Sequence, residues 1–245
     1  MRNLKISLQY DGSRYKGWQK QIGDISTIQD KIEKVLSKMT GEEIQVIGCG
    51  RTDTGVHAEK YIANFSTNCE WSIDAMLTYL YEYLPEDIVV KTMKDTTPRF
   101  HARYNVKSKT YVYRINNSKF RDVFNRRYTY HMDCELDLNA MKEASKILIG
   151  TKDFQSFTNL KSKTKSTVRT INYINISKNN DLIEIEVNGN GFLWNMVRII
   201  VGTLIEVGKG KLKIKDVQKI LDEKKRSEAS PIAQAKGLTL KELHY

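Results

Sequence analysis

Leu4, Ile6, Leu8 and Tyr10 fall on alternate positions, which predicts a half-buried strand over residues 3–10. Ser26 and Thr27 then open a helix, with Gln29 three residues after Ser26 as in a capping box. Ile28, Ile32, Val35, Leu36 and Met39 form its apolar stripe, and Gly41 stops it. Residues 44–47 suit a short strand, and residues 60–66 another, where Tyr61, Ala63 and Phe65 alternate. Residues 72–84 carry a helical stripe through Ile73, Met76, Leu77 and Leu80, and residues 88–93 read as a strand. The order is β-α-β-β-α-β, a ferredoxin-like unit.

The second half repeats this order more loosely. Residues 109–115 form a strand with Tyr111, Tyr113 and Ile115 on one face. Asp137 caps a helix through Leu138, Met141, Ala144 and Leu148 that ends at Gly150. Residues 169–177 and 182–188 read as a hairpin turning at 178–181. Residues 192–207 form an apolar helix, 214–221 a shorter amphipathic one, and 237–243 a closing strand. The pattern predicts an α+β chain of two ferredoxin-like units, residues 1–105 and 106–245, although no sequence repeat relates them.

Composition narrows the class. The chain has 245 residues, 40% hydrophobic and 28% charged, an ordinary globular mixture. It lacks a run of about 18 apolar residues, so no transmembrane helix is expected. The N-terminal MRNLKISLQY reads as a charged strand and not as a signal peptide. Cys49, Cys69 and Cys134 are odd in number and widely spaced, which suits reduced thiols in a cytoplasmic protein.

The formal net charge is +11, which asks for an anionic partner. Residues 1–105 carry 14 basic and 14 acidic side chains; residues 106–245 carry 26 and 15. Residues 99–127 hold nine cations, among them Arg99, Arg103, Lys107 and Lys109, against Asp122 alone. Phe100, Tyr104, Tyr111, Tyr113, Phe120 and Phe124 are interleaved with them. Residues 154–180 hold five cations and no acid: Lys161, Lys163, Lys165, Arg169 and Lys178. Cations for phosphates beside rings for bases are the composition of a nucleic-acid groove. A charge run alone would read as a solvated face; net charge, clustering and aromatics together favour nucleic acid.

No His, Cys or carboxylate spacing forms a metal site. Neither a GxGxxG nor a P-loop is present, so no nucleotide cofactor is expected, and no GxSxG elbow occurs. The unusual segment is IGCGRTDTGVHA, residues 47–58, where Gly48, Gly50 and Gly55 surround Arg51, Thr52 and Asp53. Such a loop can bring its backbone close to a ligand. Asp before Thr-Gly is also a common turn former. Arg198 is the only charged residue in NMVRIIVGTLI. A cation there must pair with an anion or extend to water.

These residues resemble a known family. YDGSRYKGWQKQ (10–21), STIQDKIEKVL (26–36), GCGRTDTGVHA (48–58), FHARYNVKSKTYVYRI (100–115), GNGFLWNMVRIIVGTLIEVG (189–208) and ASPIAQAKGLTL (229–240) are similar to blocks of the TruA-type tRNA pseudouridine synthases. The likeness runs through nearly the whole chain in order, and GRTDxGVHA is highly specific. Thr54 stands where Ala is more common, Gln234 where Pro is usual, and Tyr15 where Phe is common.

The resemblance implies a pseudouridine synthase fold, with the two units forming a continuous, mainly antiparallel sheet with a central cleft. It implies isomerisation of uridine to pseudouridine at positions 38, 39 and 40 of the tRNA anticodon stem-loop, by a cytoplasmic homodimer without cofactor or metal. It makes Asp53 the nucleophile and Arg198 its ion-pair partner. Tyr111 would stack on the base, and Arg51 would fill the gap left by the flipped nucleotide. Arg99, Arg103, Lys107, Lys109, Lys161, Lys163, Lys165 and Arg169 would contact RNA phosphates. The competing readings are a non-catalytic RNA-binding protein on this scaffold and a synthase acting on another RNA such as rRNA. An Asp-dependent RNA hydrolase would want a second carboxylate, and Glu59 is the only one nearby.

Overall fold

The computed structural model describes residues 1–23, 25–160 and 166–245. In chain order the elements are β1 (Arg2–Tyr10), α1 (Ile28–Thr40), β2 (Ile47–Gly48), β3 (His57–Thr67), α2 (Ile73–Tyr83), β4 (Ile88–Thr96), β5 (Ser108–Asn117), β6 (Tyr130–Met132), α3 (Leu138–Lys146), β7 (Gly150–Asp153), β8 (Val168–Asn179), β9 (Leu182–Gly189), α4 (Met196–Gly208), α5 (Ile214–Glu223) and β10 (Leu238–His244). The chain is α+β, and it divides into residues 1–107 with 239–245, and residues 108–238.

In the first unit β4, β1 and β3 lie side by side, each antiparallel to its neighbour. The two residues of β2 pair antiparallel with Ala63 and Asn64 at one part of β3. At its other end β3 pairs parallel with β10, Thr239 opposite His57 and Leu240 opposite Ala58. Leu4, Ile6 and Leu8 are fully buried from β1, as the alternation requires. Ile28, Ile32 and Leu36 of α1 are likewise buried, one face of the helix.

The helix ends follow local chemistry. Thr27, not Ser26, caps α1: its hydroxyl accepts from the Asp30 amide, and Gly41 ends the helix at φ +72°. Gln29 is therefore no capping-box partner. Its Nε2 donates to Glu33 Oε1 and to the Val46 carbonyl, tying α1 to the segment before β2. Ser72 caps α2 through the Ala75 amide.

In the second unit the order is β5-β9-β8-β7, all antiparallel, and β6 pairs parallel with β5. Asp137 caps α3 through the Ala140 amide as expected. The helix stops at Lys146, and Gly150 at φ +98° opens β7 instead of closing the helix. Helix α4 begins at Met196 and not at residue 192, because Asn195 sits at φ +61° and breaks the helical path. The closing strand is β10, but from Thr239 onward it belongs with the first unit. The second unit, expected to run over residues 106–245, therefore ends at Leu238. Apolar alternation reports the faces of a strand and not its neighbours, which is why the sequence does not reveal this placement.

Candidate active site

The segment from Cys49 to Val56 is a loop between β2 and β3, and it and Gly48 before it are seated on three aromatic side chains of the first unit. Tyr10, Trp18 and Tyr61 are 4%, 2% and 0% exposed. Trp18 and Tyr61 stack with centroids 3.9 Å apart, and Tyr10 lies 5.6 Å from Tyr61. Gly48 crosses directly above them. A Cβ there would stand 2.6 Å from Trp18 Nε1 and would also collide with the Tyr61 hydroxyl. The loop thus needs glycine for close approach at this point.

Hydrogen bonds then fix the loop residue by residue. The Cys49 amide donates to Ile62 O at 3.0 Å, continuing the β2–β3 pairing. The Tyr61 hydroxyl donates to the Gly50 carbonyl. Thr52 is buried, with its hydroxyl 2.9 Å from the Tyr10 hydroxyl. The Thr52 carbonyl accepts from the Trp18 amide at 3.2 Å. The Val56 amide donates to the Asp53 carbonyl at 3.1 Å, with Gly55 at φ +77° as the third turn residue. The turn-forming reading of Asp-Thr-Gly is therefore correct as geometry.

Inward Thr52 alternates with its neighbours. Arg51 is exposed and Asp53 half-buried, so both flank a residue that cannot move without breaking buried contacts. The backbone that carries the Asp53 carboxylate is thus held in place before any ligand arrives.

A second clamp comes from the segment after β1. Gly12 donates its amide to His57 Nδ1 at 3.1 Å, and a Cβ on Gly12 would overlap the Val56 carbonyl oxygen at 2.0 Å. Tyr15 donates to Asp87 Oδ1 at 2.5 Å, and Arg14 pairs with the same carboxylate. Burial, and then the Asp87 contact, push the Tyr15 phenol well above its ordinary value, so it stays protonated. The block YDGSRYKGW, which sequence alone left without a role, is the support of the Asp53 loop. Its signal was present: three aromatic residues in a glycine-bearing stretch that has no helical or strand period.

The second unit holds the other two named site residues. Tyr111 on β5 is half-buried and meets the edge of Phe192, with centroids 5.4 Å apart and planes at 84°. Beside it runs a polar row, buried at Thr110 and Asn188 and exposed at Asn172: Asn172 Nδ2 donates to Asn188 Oδ1 at 2.7 Å, and Asn188 Nδ2 to Thr110 Oγ1 at 2.9 Å. It ties β8, β9 and β5 where Tyr111 stands.

Arg198, in the first turn of α4, is partly buried. Its Nε donates to the Ala233 carbonyl at 2.7 Å and its Nη1 to Asn195 Oδ1 at 3.3 Å. The Ala233 amide returns a bond to the Arg198 carbonyl at 3.1 Å. Residues 229–233 lie against α4 so closely that a Cβ on Gly202 would sit 2.1 Å from Pro231 O. Tyr113, fully buried, donates to the Gln234 carbonyl at 2.9 Å. The block ASPIAQAKG thus holds the Arg198 guanidinium in one direction and does not leave it to extend freely into water.

The expected phosphate contacts divide by environment. Arg99, Arg103 and Lys107 are exposed in the first unit, and Lys109 is half-buried in the second. The Arg169 guanidinium donates to the Ser166 and Val168 carbonyls, and burial lowers its pKa. Lys161, Lys163 and Lys165 lie outside the described residues. Among the described residues, no cluster of His, Cys, Asp or Glu could hold a metal ion, Cys49, Cys69 and Cys134 form no disulfide, and no helix is long and apolar enough to cross a membrane.

With a buttressed carboxylate loop in one unit, and a ringed tyrosine and an oriented arginine in the other, the chain has the parts of an enzyme acting on a polyanionic ligand. Comparison with known proteins gives the class a name. The family model for tRNA pseudouridine synthase matches residues 6–105 and 144–245, and the chain belongs to that family. It is 69% identical over 245 residues to tRNA pseudouridine synthase A 1 of Clostridium tetani, covering 100% of both chains. It is 49% identical to tRNA pseudouridine synthase A 2 of the same organism, covering 100% of this chain and 99% of that one. It is 45% identical to tRNA pseudouridine synthase A 2 of Bacillus cereus, covering 100% of both. The chain is an isomerase of this class.

Proposed function

We propose that the protein isomerises uridine to pseudouridine in the tRNA anticodon stem-loop, at positions 38, 39 and 40, with Asp53 as the nucleophile. The observation that carries this reading is the loop anchorage. Thr52 is bonded through both hydroxyl and carbonyl, so the adjacent Asp53 is presented on a turn fixed from below. Nucleophilic catalysis needs a group already in place.

The reaction breaks the bond from uracil N1 to ribose C1′ and forms one from C5 to C1′. The C5 proton leaves and N1 regains one, so atoms balance without redox change or energy input. The Asp53 carboxylate must be ionised to attack. Pairing with Arg198 would keep it so, and the fixed posture of that guanidinium supports the assignment. Tyr111, braced by Phe192, offers a ring for the flipped base. Exposed Arg51 suits insertion into the vacated stack, and Arg99, Arg103, Lys107, Lys109 and Arg169 suit phosphates. A homodimer working in the cytoplasm completes the reading.

Incubating unmodified tRNA and ribosomal RNA transcripts with the protein and mapping pseudouridine by carbodiimide treatment and primer extension tests this. New stops one nucleotide 3′ of positions 38, 39 and 40 are expected. Their absence would refute the assignment, and stops confined to ribosomal RNA would reassign the substrate.

A further inference from the structure

The connection from β5 to β6 is an ordered loop that carries exposed rings among cations. Phe124 is 94% exposed, Phe120 76% and Val123 61%. Lys119, Arg121, Arg126 and Arg127 are exposed beside them. Phenylalanine has no polar atom to satisfy in water, so two such rings in one short loop mark a contact surface.

The loop is held in shape by its own bonds. Asp122 Oδ1 accepts from the Phe124 and Asn125 amides at 2.9 and 3.1 Å, and its Oδ2 from Asn125 Nδ2 at 2.6 Å. The Asn125 carbonyl accepts from the Tyr128 amide at 2.9 Å and the Thr129 hydroxyl at 3.0 Å. Arg126 Nη1 donates to Val123 O at 2.6 Å. The feet are closed too: Asn117 Nδ2 donates to the Met132 and Cys134 carbonyls, and His131 Nε2 lies 2.9 Å from Ser118 O. Outward rings on a closed loop are presented at little further entropic cost on binding.

Charge selects the occupant. Residues 118–129 hold four cations and one carboxylate. Four cations in one loop of a chain that itself carries a net charge of +11 suit a polyanion better than a second positive surface. An RNA strand supplies phosphates for the arginines and flat bases for the rings.

We infer that the loop 118–129 is an RNA-binding element remote from the reacting base, with Phe120 and Phe124 stacking on bases and Arg121, Arg126 and Arg127 on phosphates. Asn117 lies six residues beyond Tyr111 on β5, about 20 Å along the strand. One nucleotide cannot occupy both places, so the loop grips a second part of the same RNA. The inference rests on the tRNA reading given above.

The test is equilibrium binding of an unmodified tRNA to the full chain over a salt series, with sedimentation of each variant. Phe120→Ser with Phe124→Ser is expected to weaken binding by about tenfold or more, since stacking on each ring contributes about 1–3 kcal/mol. Phe124→Trp, which can still stack, is expected to keep the affinity and lose fluorescence when RNA is added. Changing Arg121, Arg126 and Arg127 to Gln is expected to lower the salt slope by about 0.7–0.9 for each phosphate no longer neutralised. Unchanged affinity and slope would overturn the inference. So would a change in sedimentation with RNA affinity intact, which would give the loop to an interface between copies. If the wild type binds tRNA through this loop yet forms no pseudouridine, the functional reading falls and the loop assignment stands.

Discussion

A Cβ on Gly17 would stand 2.5 Å from the carbonyl oxygen of Thr52, the residue immediately before Asp53. The support segment and the Asp53 loop therefore meet backbone to backbone. The Trp18 amide is bonded to that same oxygen at 3.2 Å. Gly17 also sits at φ +88°, a conformation that costs other residues about 1–2 kcal/mol.

Gly17→Ala tests whether this close approach positions the carboxylate. The alanine must push Thr52 away, and an ångström of displacement costs about a hundredfold in rate. The expected outcome is a kcat lowered by about that factor, with circular dichroism still showing a folded chain. A folded variant with normal kcat would show that the loop does not depend on Gly17.

Arg198 has a structural duty, its bond to Ala233, and a proposed chemical one, and substitution distinguishes them. Arg198→Met removes the bond to the Ala233 carbonyl, worth about 1 kcal/mol, which lowers Tm by about 2–4 °C in a chain of this size. The larger effect is expected in chemistry: a single-turnover rate down by about 10²–10³, with tRNA affinity changed far less. Arg198→Lys is expected to recover little, because an ammonium lacks the planar fork that reaches several acceptors. An unchanged single-turnover rate for Arg198→Met would leave only the structural duty.

Three phenols, two buried (Tyr15 and Tyr113) and one half-buried (Tyr245), are expected to limit stability at alkaline pH. Tyr15, Tyr113 and Tyr245 each have pKa values raised from 10.0, with burial the largest cause in every case. The unfolded chain releases these protons from about pH 10 upward while the folded chain retains them. Unfolding then becomes more favourable as pH rises, so the stability these phenols contribute is full below about pH 10 and falls above it. Urea midpoints measured between about pH 8 and 11 are expected to drop in the upper part of that range. Tyr113→Phe loses its bond to Gln234 O at neutral pH but is expected to flatten the alkaline slope. An equally steep slope in that variant would assign the effect to other groups.

Local chemistry made much of the first unit legible. The strand through Leu4, Ile6 and Leu8, the stop at Gly41 and the helical stripe through Ile73, Met76 and Leu80 are each decided by local residues. The start of α4 was not, because Phe192 and Leu193 suit an apolar helix equally well, and only Asn195 turning left-handed ends the pattern. The two-residue β2 and the three-residue β6 are too short to show a period. At the candidate site, Arg51 and Asp53 stood out by the glycines around them. The roles of Tyr10, Trp18 and Tyr61 did not, since a buried ring under a loop has the same sequence signature as a ring in any core. Likewise Arg198 could be singled out as the one cation of its helix, but not aimed. Its direction comes from Ala233, 35 residues further along the chain.

In the proposed reaction the Asp53 carboxylate performs the chemistry and the residues beneath its loop hold it in position. Tritium release from tRNA labelled at uridine C5 measures departure of the C5 proton directly. Asp53→Asn keeps the side chain's size and the turn around Gly55, so the variant is expected to bind tRNA with near-normal affinity and release no tritium. Release by Asp53→Asn at the wild-type rate would show that another group is the nucleophile.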